Sequence, residues 1–276
     1  MKRKTFTELK TQALNSLHLN YGPLILGWVI SLAISFIVST AFDSVSTSTS
    51  MSSTITYQIA QLIITILMSL FNVSFLMMCL KVLKGEKNVA TDIFYAFRNT
   101  PDRYIGSYII YLIFTMLPVI PGEILIMHGA GSEFIEAAEQ LAYETTDIYS
   151  TAATLPLHSA TEVMWGFVLI IVGGIVSIYF SLCFAAVNYL LLEDKGLKVV
   201  DAFKASRAMM KGNKFRLLLL YISFVGWFIL SIFTLGLLTL WITPYMTTTL
   251  ALFYMDIQGI APSGKENEDH TFDATV

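Results

Sequence analysis

Between Val163 and Leu192 the chain carries no charged residue, and five further stretches carry one charge or none: Leu24–Phe42, Ile55–Leu80, Ile105–Met127, Phe215–Leu235 and Leu237–Ile257. About 20 apolar residues suffice to cross the hydrocarbon of a bilayer. In hydrocarbon every backbone polar group must be paired internally, which an α-helix does within one segment. These runs therefore predict an all-α, polytopic membrane protein with about six transmembrane helices. Composition agrees, since 13% of residues are charged where soluble domains carry about 25%.

The fourth run is longer than a bilayer needs and must tilt or protrude. The last two meet at Thr234–Gly236, which predicts a tight helical hairpin. The first run is read as a retained span and not a cleaved signal peptide. A helix-like segment precedes it and no A-x-A site follows.

Lys and Arg mark the cytoplasmic side. All 17 lie before span one, between spans two and three, between spans four and five (with Arg216 at the head of span five), or in the tail at Lys265. With six spans, both termini face the cytoplasm of a bacterial cytoplasmic membrane. The intervening segments are polar or acidic. "DSVSTSTSMSS" (43–53) is a short Ser/Thr loop, and 128–162 carries Glu133, Glu136, Glu139, Glu144, Asp147 and Glu162 without a cation. Within it, 132–144 reads as an amphipathic helix capped by Ser132.

The densest basic stretch precedes span five. On a helix, Val199, Phe203 and Met210 share one side, with Lys204, Arg207 and Lys211 beside it. Such a helix lies in the inner headgroup layer and turns its cations to anionic lipid. Lys214 and Arg216 extend the lipid-surface contact. Orientation alone accounts for most of these cations.

The segments before spans three and five share D-x-F-x-A-x-R: Asp92, Phe94, Ala96 and Arg98 against Asp201, Phe203, Ala205 and Arg207. The N-terminal segment follows the plan loosely, with Phe6, Leu9, Ala13 and Leu17 on one face. We read three parallel modules of amphipathic helix plus hairpin, at 1–80, 81–192 and 193–257, and a disordered cytoplasmic tail at 258–276.

Candidates for chemistry are sparse. Cys79 and Cys183 fall inside spans without CxxC spacing, as buried structural cysteines do. His128 and His158 bracket the acidic segment without metal-ligand spacing, so no metal is expected. There is no phosphate-binding glycine loop and no nucleic-acid module, and no cofactor is implied. Gly173 and Gly174 read as a close-packing point between helices. Glu123, after Pro118, Pro121 and Gly122, is the one candidate transport site; its plainer reading is the interfacial end of span three. Asp256 reads as solvated at the inner end of span six. Asn72 and Asn188 read as interhelical hydrogen-bonding partners.

The region from Ser206–Met210 and Lys211-Gly212 through Phe224-Val225-Gly226-Trp227, Thr234-Leu235-Gly236, Trp241, Pro244-Tyr245, Thr249 and Phe253-Tyr254 resembles a bacterial integral-membrane family catalogued as domain of unknown function nine-seven-five. The resemblance is strongest over residues 190–257. This chain departs from it in having "IVGGIVSIYF" late in span four, with its "IPG" at Ile120–Gly122 in span three. The resemblance implies a multi-span protein without an established activity. Read physically, Gly226, Trp227, Gly236, Trp241, Pro244 and Tyr245 form a hairpin motif: tryptophan anchors, a glycine for close approach, and a proline that bends or starts span six. The expectation is a scaffold or accessory subunit, not an enzyme, that contacts anionic lipid inside and an envelope protein outside. The alternative is a small permease or lipid-translocating protein with a groove near Pro118–Glu123.

Overall fold

The computed structural model describes residues 3–18, 20–45, 51–128 and 157–260, and regular structure among them is helical throughout. Helix α1 is Phe6–Leu17, α2 Tyr21–Val45 and α3 Met51–Leu83. A 3-10 turn at Ala90–Phe94 leads into α4 (Tyr95–Arg98) and α5 (Pro101–Met116). Segment Ile120–His128, here α6, follows α5 after a 55° bend. Then come α7 (Leu157–Phe184), α8 (Val187–Glu193), α9 (Val199–Met209), α10 (Lys214–Phe233) and α11 (Thr239–Gln258).

Four stretches are long and apolar enough to cross a membrane: Tyr21–Ala41, Ile59–Leu83, Thr161–Glu193 and Lys214–Phe233. Counting the bent α5–α6 pair as one broken span gives a fifth, so the described residues hold four or five such stretches where six are expected. The remaining expected span, α11, has 20 residues, enough for about 30 Å at 1.5 Å per residue. Its threonines lower its hydropathy, and from Thr248 to Met255 every residue is buried. A helix enclosed by other helices needs no continuous apolar surface, so composition alone does not single it out.

The chain divides into two compact units, Met1–Tyr108 with Ala185–Val276, and Ile109–Phe184. In the first, α1, α2, α3 and α10 all pack on α11. Leu17, Leu24, Phe71, Phe75, Met78 and Cys79 form its core, with Trp28 and Tyr245 against them. Each short helix sits on a longer or preceding one: α1 on α11, the 3-10 turn and α4 on α3, and α9 on α8. Two buried serines tie such joints. Ser74 accepts the Ala96 N–H at 2.9 Å and Ser206 accepts the Ala186 N–H at 3.2 Å. Ala186 sits at the break between α7 and α8, where a new helix leaves N–H groups without intrahelical acceptors.

The expected turn between α10 and α11 is present. Leu235 and Gly236 both take positive φ (51° and 83°), and the Gly236 N–H reaches back to the Ser231 carbonyl at 2.8 Å.

In the second unit α6 and α7 approach at glycines. A Cβ on Gly122 would lie 2.7 Å from the Ile170 nitrogen, and one on Gly166 would lie 3.0 Å from that of Ile126. Gly173 meets the Pro118 carbonyl in the same way, as the sequence predicts, whereas Gly174 faces open space. Gly226, expected to let helices approach, also faces open space. Phe224 is the buried residue there, and a position two residues on points to the other side of a helix.

Candidate functional site

The cations of the basic end fall into two classes, outward and inward. On α9, Ala202, Phe203 and Ser206 are buried, as is Met210 just beyond it, while Lys204, Arg207 and Lys211 are exposed. Lys204 pairs with Asp201 one turn earlier at 3.2 Å, in solvent. The turn after the helix passes through Gly212, whose φ of 80° suits only glycine at low cost. Asn213 then caps α9 by donating Nδ2 to the Met209 carbonyl at 3.0 Å. Lys214 is partly buried.

Arg216 does not belong with them. Its Nη2 donates to Asp256 Oδ2 at 2.7 Å and to the Lys4 carbonyl, and its guanidinium lies 5.0 Å from the centre of the Phe253 ring. Asp256 is no wetter: its side chain is 7% exposed, and Oδ1 accepts the Lys4 N–H at 3.2 Å. Expected as a lipid contact and a solvated carboxylate, the two form an enclosed ion pair. A charge kept from water needs a partner of opposite sign, and the hairpin supplies it. Arg216 and Asp256 are the only charges in the last two apolar runs and stand nearly equidistant from the Leu235–Gly236 turn. That spacing was the available signal.

The pair grips the start of α1. Thr5 caps this helix, with a reciprocal bond from Thr5 N–H to the Glu8 carboxylate at 2.6 Å. Leu9, Ala13 and Leu17 are fully buried. Lys10 bridges to α10, donating to the Ser223 carbonyl at 3.2 Å and standing 4.4 Å over the Phe224 ring. Burial lowers its pKa from the ordinary lysine value. Two further cations are used internally. Arg103 donates to the Asp194 and Leu197 carbonyls at 3.0 and 2.6 Å, and Lys81 pairs with Asp92 at 2.9 Å. Burial alone would raise the Asp92 pKa. The Lys81 bond, the Val89 N–H and the fields of Lys81 and Arg98 together bring it below the ordinary carboxylate value.

Of the hairpin motif, Trp227 and Trp241 are half-exposed, Gly236 makes the turn and Pro244 is buried inside α11. Tyr245 packs edge-on against Phe224 of α10, centroids 5.3 Å apart. Asn188 accepts a bond from Ser107 at 3.3 Å between α8 and α5, as expected, but Asn72 is exposed on α3. Glu123 is exposed on α6, just past the bend. His128 pairs with Glu162 at 2.8 Å. Both cysteines are buried and neither is in a disulfide, and no cluster of three metal-ligating side chains occurs among the described residues. The helix expected at 132–144, the His158 side chain and the tail from 261 lie outside the described residues.

The family described as "Protein of unknown function (DUF975)" matches residues 1–261. The chain belongs to that family. The match spans α1 to α11, well beyond the 190–257 region where the resemblance is plainest in sequence. No curated protein and no solved structure matches the chain. For this family member the geometry of the basic end therefore carries the functional reading.

Proposed function

We propose that this family member is a non-enzymatic scaffold or accessory subunit of a bacterial cytoplasmic membrane, with α9 as its contact with anionic lipid. One observation carries the reading: α9 seats its apolar side on α8 and leaves Lys204, Arg207 and Lys211 exposed. A helix so divided suits a headgroup layer, each cation contributing about 1 kcal/mol beside an anionic surface. In this reading α11 is the sixth span, both termini are cytoplasmic, and each surface helix with its following hairpin is one of three modules. The shared docking of short helices supports that scheme. Lys214 adds to the basic surface, and Arg216 is withdrawn from it.

The test is purification from the native membrane in mild detergent, with mass spectrometry of what stays bound. Retained anionic lipid that is lost in the Lys204→Gln/Arg207→Gln/Lys211→Gln variant supports the lipid contact. A stoichiometric protein partner identifies the scaffolded assembly. Equal lipid retention by variant and wild type would overturn the assignment to α9. The 55° bend between α5 and α6 favours a second reading, a lipid-translocating or permease role at Pro118–Glu123. There Glu123→Gln would abolish transport in proteoliposomes.

A further inference from the structure

We propose that α1 is a latched strap, a helix that detaches from α11 as a unit and is held closed by the Arg216–Asp256 pair. This is independent of the lipid reading. Three observations converge.

The first is how the latch holds. Asp256 accepts the Lys4 N–H, and Arg216 donates to the Lys4 carbonyl. Both bonds go to the main chain at one residue just before α1, and further along the helix Lys10 adds a single side-chain tie to the Ser223 carbonyl and the Phe224 ring.

The second is the face α1 shows outward. Thr7, Glu8, Thr11, Asn15 and His18 are exposed, with Leu14 as the one exposed apolar residue, and only Leu9, Ala13 and Leu17 are fully buried. Losing the seat costs the burial of two leucines and an alanine, Leu17 among the core residues, and the Lys10 contacts with Ser223 and Phe224, while the outward face is mostly polar and suited to water. At the other end the chain turns at Asn20, whose N–H bonds the Leu17 carbonyl at 2.8 Å, before entering α2.

The third is the chemistry of the pair. A buried ion pair gives little net stability over well-packed apolar residues, and its best-attested use is in fixing register or switching. Here one guanidinium nitrogen, Arg216 Nη1, is buried without a hydrogen-bond partner. Two apolar side chains would close the α10–α11 hairpin as well. They could not hold a backbone N–H and C=O together.

An isolated helix of 12 residues is marginal in water, so release of α1 melts it and exposes its amides. The experiment is hydrogen exchange by mass spectrometry on the full chain in nanodiscs. It compares wild type, Lys4→Pro and Lys4→Ala. Proline deletes the N–H that Asp256 accepts and leaves the Arg216–Asp256 pair whole. Alanine keeps the main chain and removes the side chain beyond Cβ, including the ammonium that donates to Gln12 at 2.7 Å. The expected result is exchange over residues 6–17 at least tenfold faster in Lys4→Pro, unchanged rates in α3 and α11, and wild-type rates in Lys4→Ala. Unchanged exchange in Lys4→Pro would overturn the latch. Acceleration of α3 and α11 in step with α1 would overturn the strap, making α1 an inseparable part of the core. Equal acceleration in Lys4→Ala would move the grip from the backbone to the side chain and overturn the assignment to Asp256.

Discussion

Helices α1 and α9 are built alike and used oppositely. Each has about three turns, each buries a narrow apolar side on a longer or preceding helix, and each carries lysines that sequence alone assigns to a membrane surface. Yet at α1 the cation is drawn inward, with Lys10 over Phe224, and just before the helix the Lys4 main chain is held by the Arg216–Asp256 pair. The cations of α9 stay in solvent. Sequence position near a span is therefore not enough to read a cation as a lipid contact. What decides is whether a partner of opposite charge is carried to the same depth, as Asp256 is by the α10–α11 hairpin.

The comparison can be broken at several points. The largest effect belongs to Asp256→Asn, which strands Arg216 in a dry setting. Breaking one side of a buried pair costs about 3–5 kcal/mol, to be read as a large fall in melting temperature in detergent, with α1 lost first.

Removing the three outward cations of α9 together should do the reverse. Stability stays within about 0.5 kcal/mol, as for most surface changes. Retention of anionic lipid falls by about 3 kcal/mol in total at about 1 kcal/mol per cation, measured by native mass spectrometry against phosphatidylglycerol. A loss of stability without a loss of lipid would erase the distinction between the two helices.

Ser206→Ala should loosen the seat of α9 by about 1–3 kcal/mol, the cost of a buried N–H left unpaired. Here the orphan is the Ala186 N–H, and denaturant unfolding provides the measure. Ser206→Thr keeps the hydroxyl and should recover part of the loss.

The smallest effect sharpens the contrast through pH. Asp92 is depressed when folded, so its pairing with Lys81 contributes stability that is fully present above the ordinary carboxylate value of about 3.9. That contribution is lost as pH falls through its lower folded value. The pair is partly exposed, 20% and 24%, which limits it to about 1 kcal/mol. Asp92→Asn should flatten this part of the acid limb of stability while leaving stability at pH 7 lower by the same amount.

Much of this was legible before any coordinates. Apolar runs locate α2, α3, α7 and α10 because hydrocarbon tolerates only helices with their backbone bonds closed. The Thr234–Gly236 turn and the Pro118–Gly122 break are local, set by residues that cannot continue a helix. The exposed face of α9 follows from its period. The remainder depends on partners far away in the chain. Gly173, Gly174 and Gly226 all read from their neighbours as contacts, yet of these only Gly173 meets a facing backbone, as Gly122 and Gly166 also do. Nothing local distinguishes these cases.

By itself, then, the sequence determined the solvent this chain is built for, where its helices run, and which turns join them. All of these are decided by hydropathy and backbone sterics within a few residues. Only the tertiary structure decided that α11 is enclosed, that Arg216 and Asp256 are partners and not surface charges, and that the Lys4 main chain ahead of α1 is held by that pair. The physical reason is common to all three. Whether a polar or charged group is tolerated depends on what is packed against it, and residues 4, 216 and 256 meet only when the chain has folded back on itself.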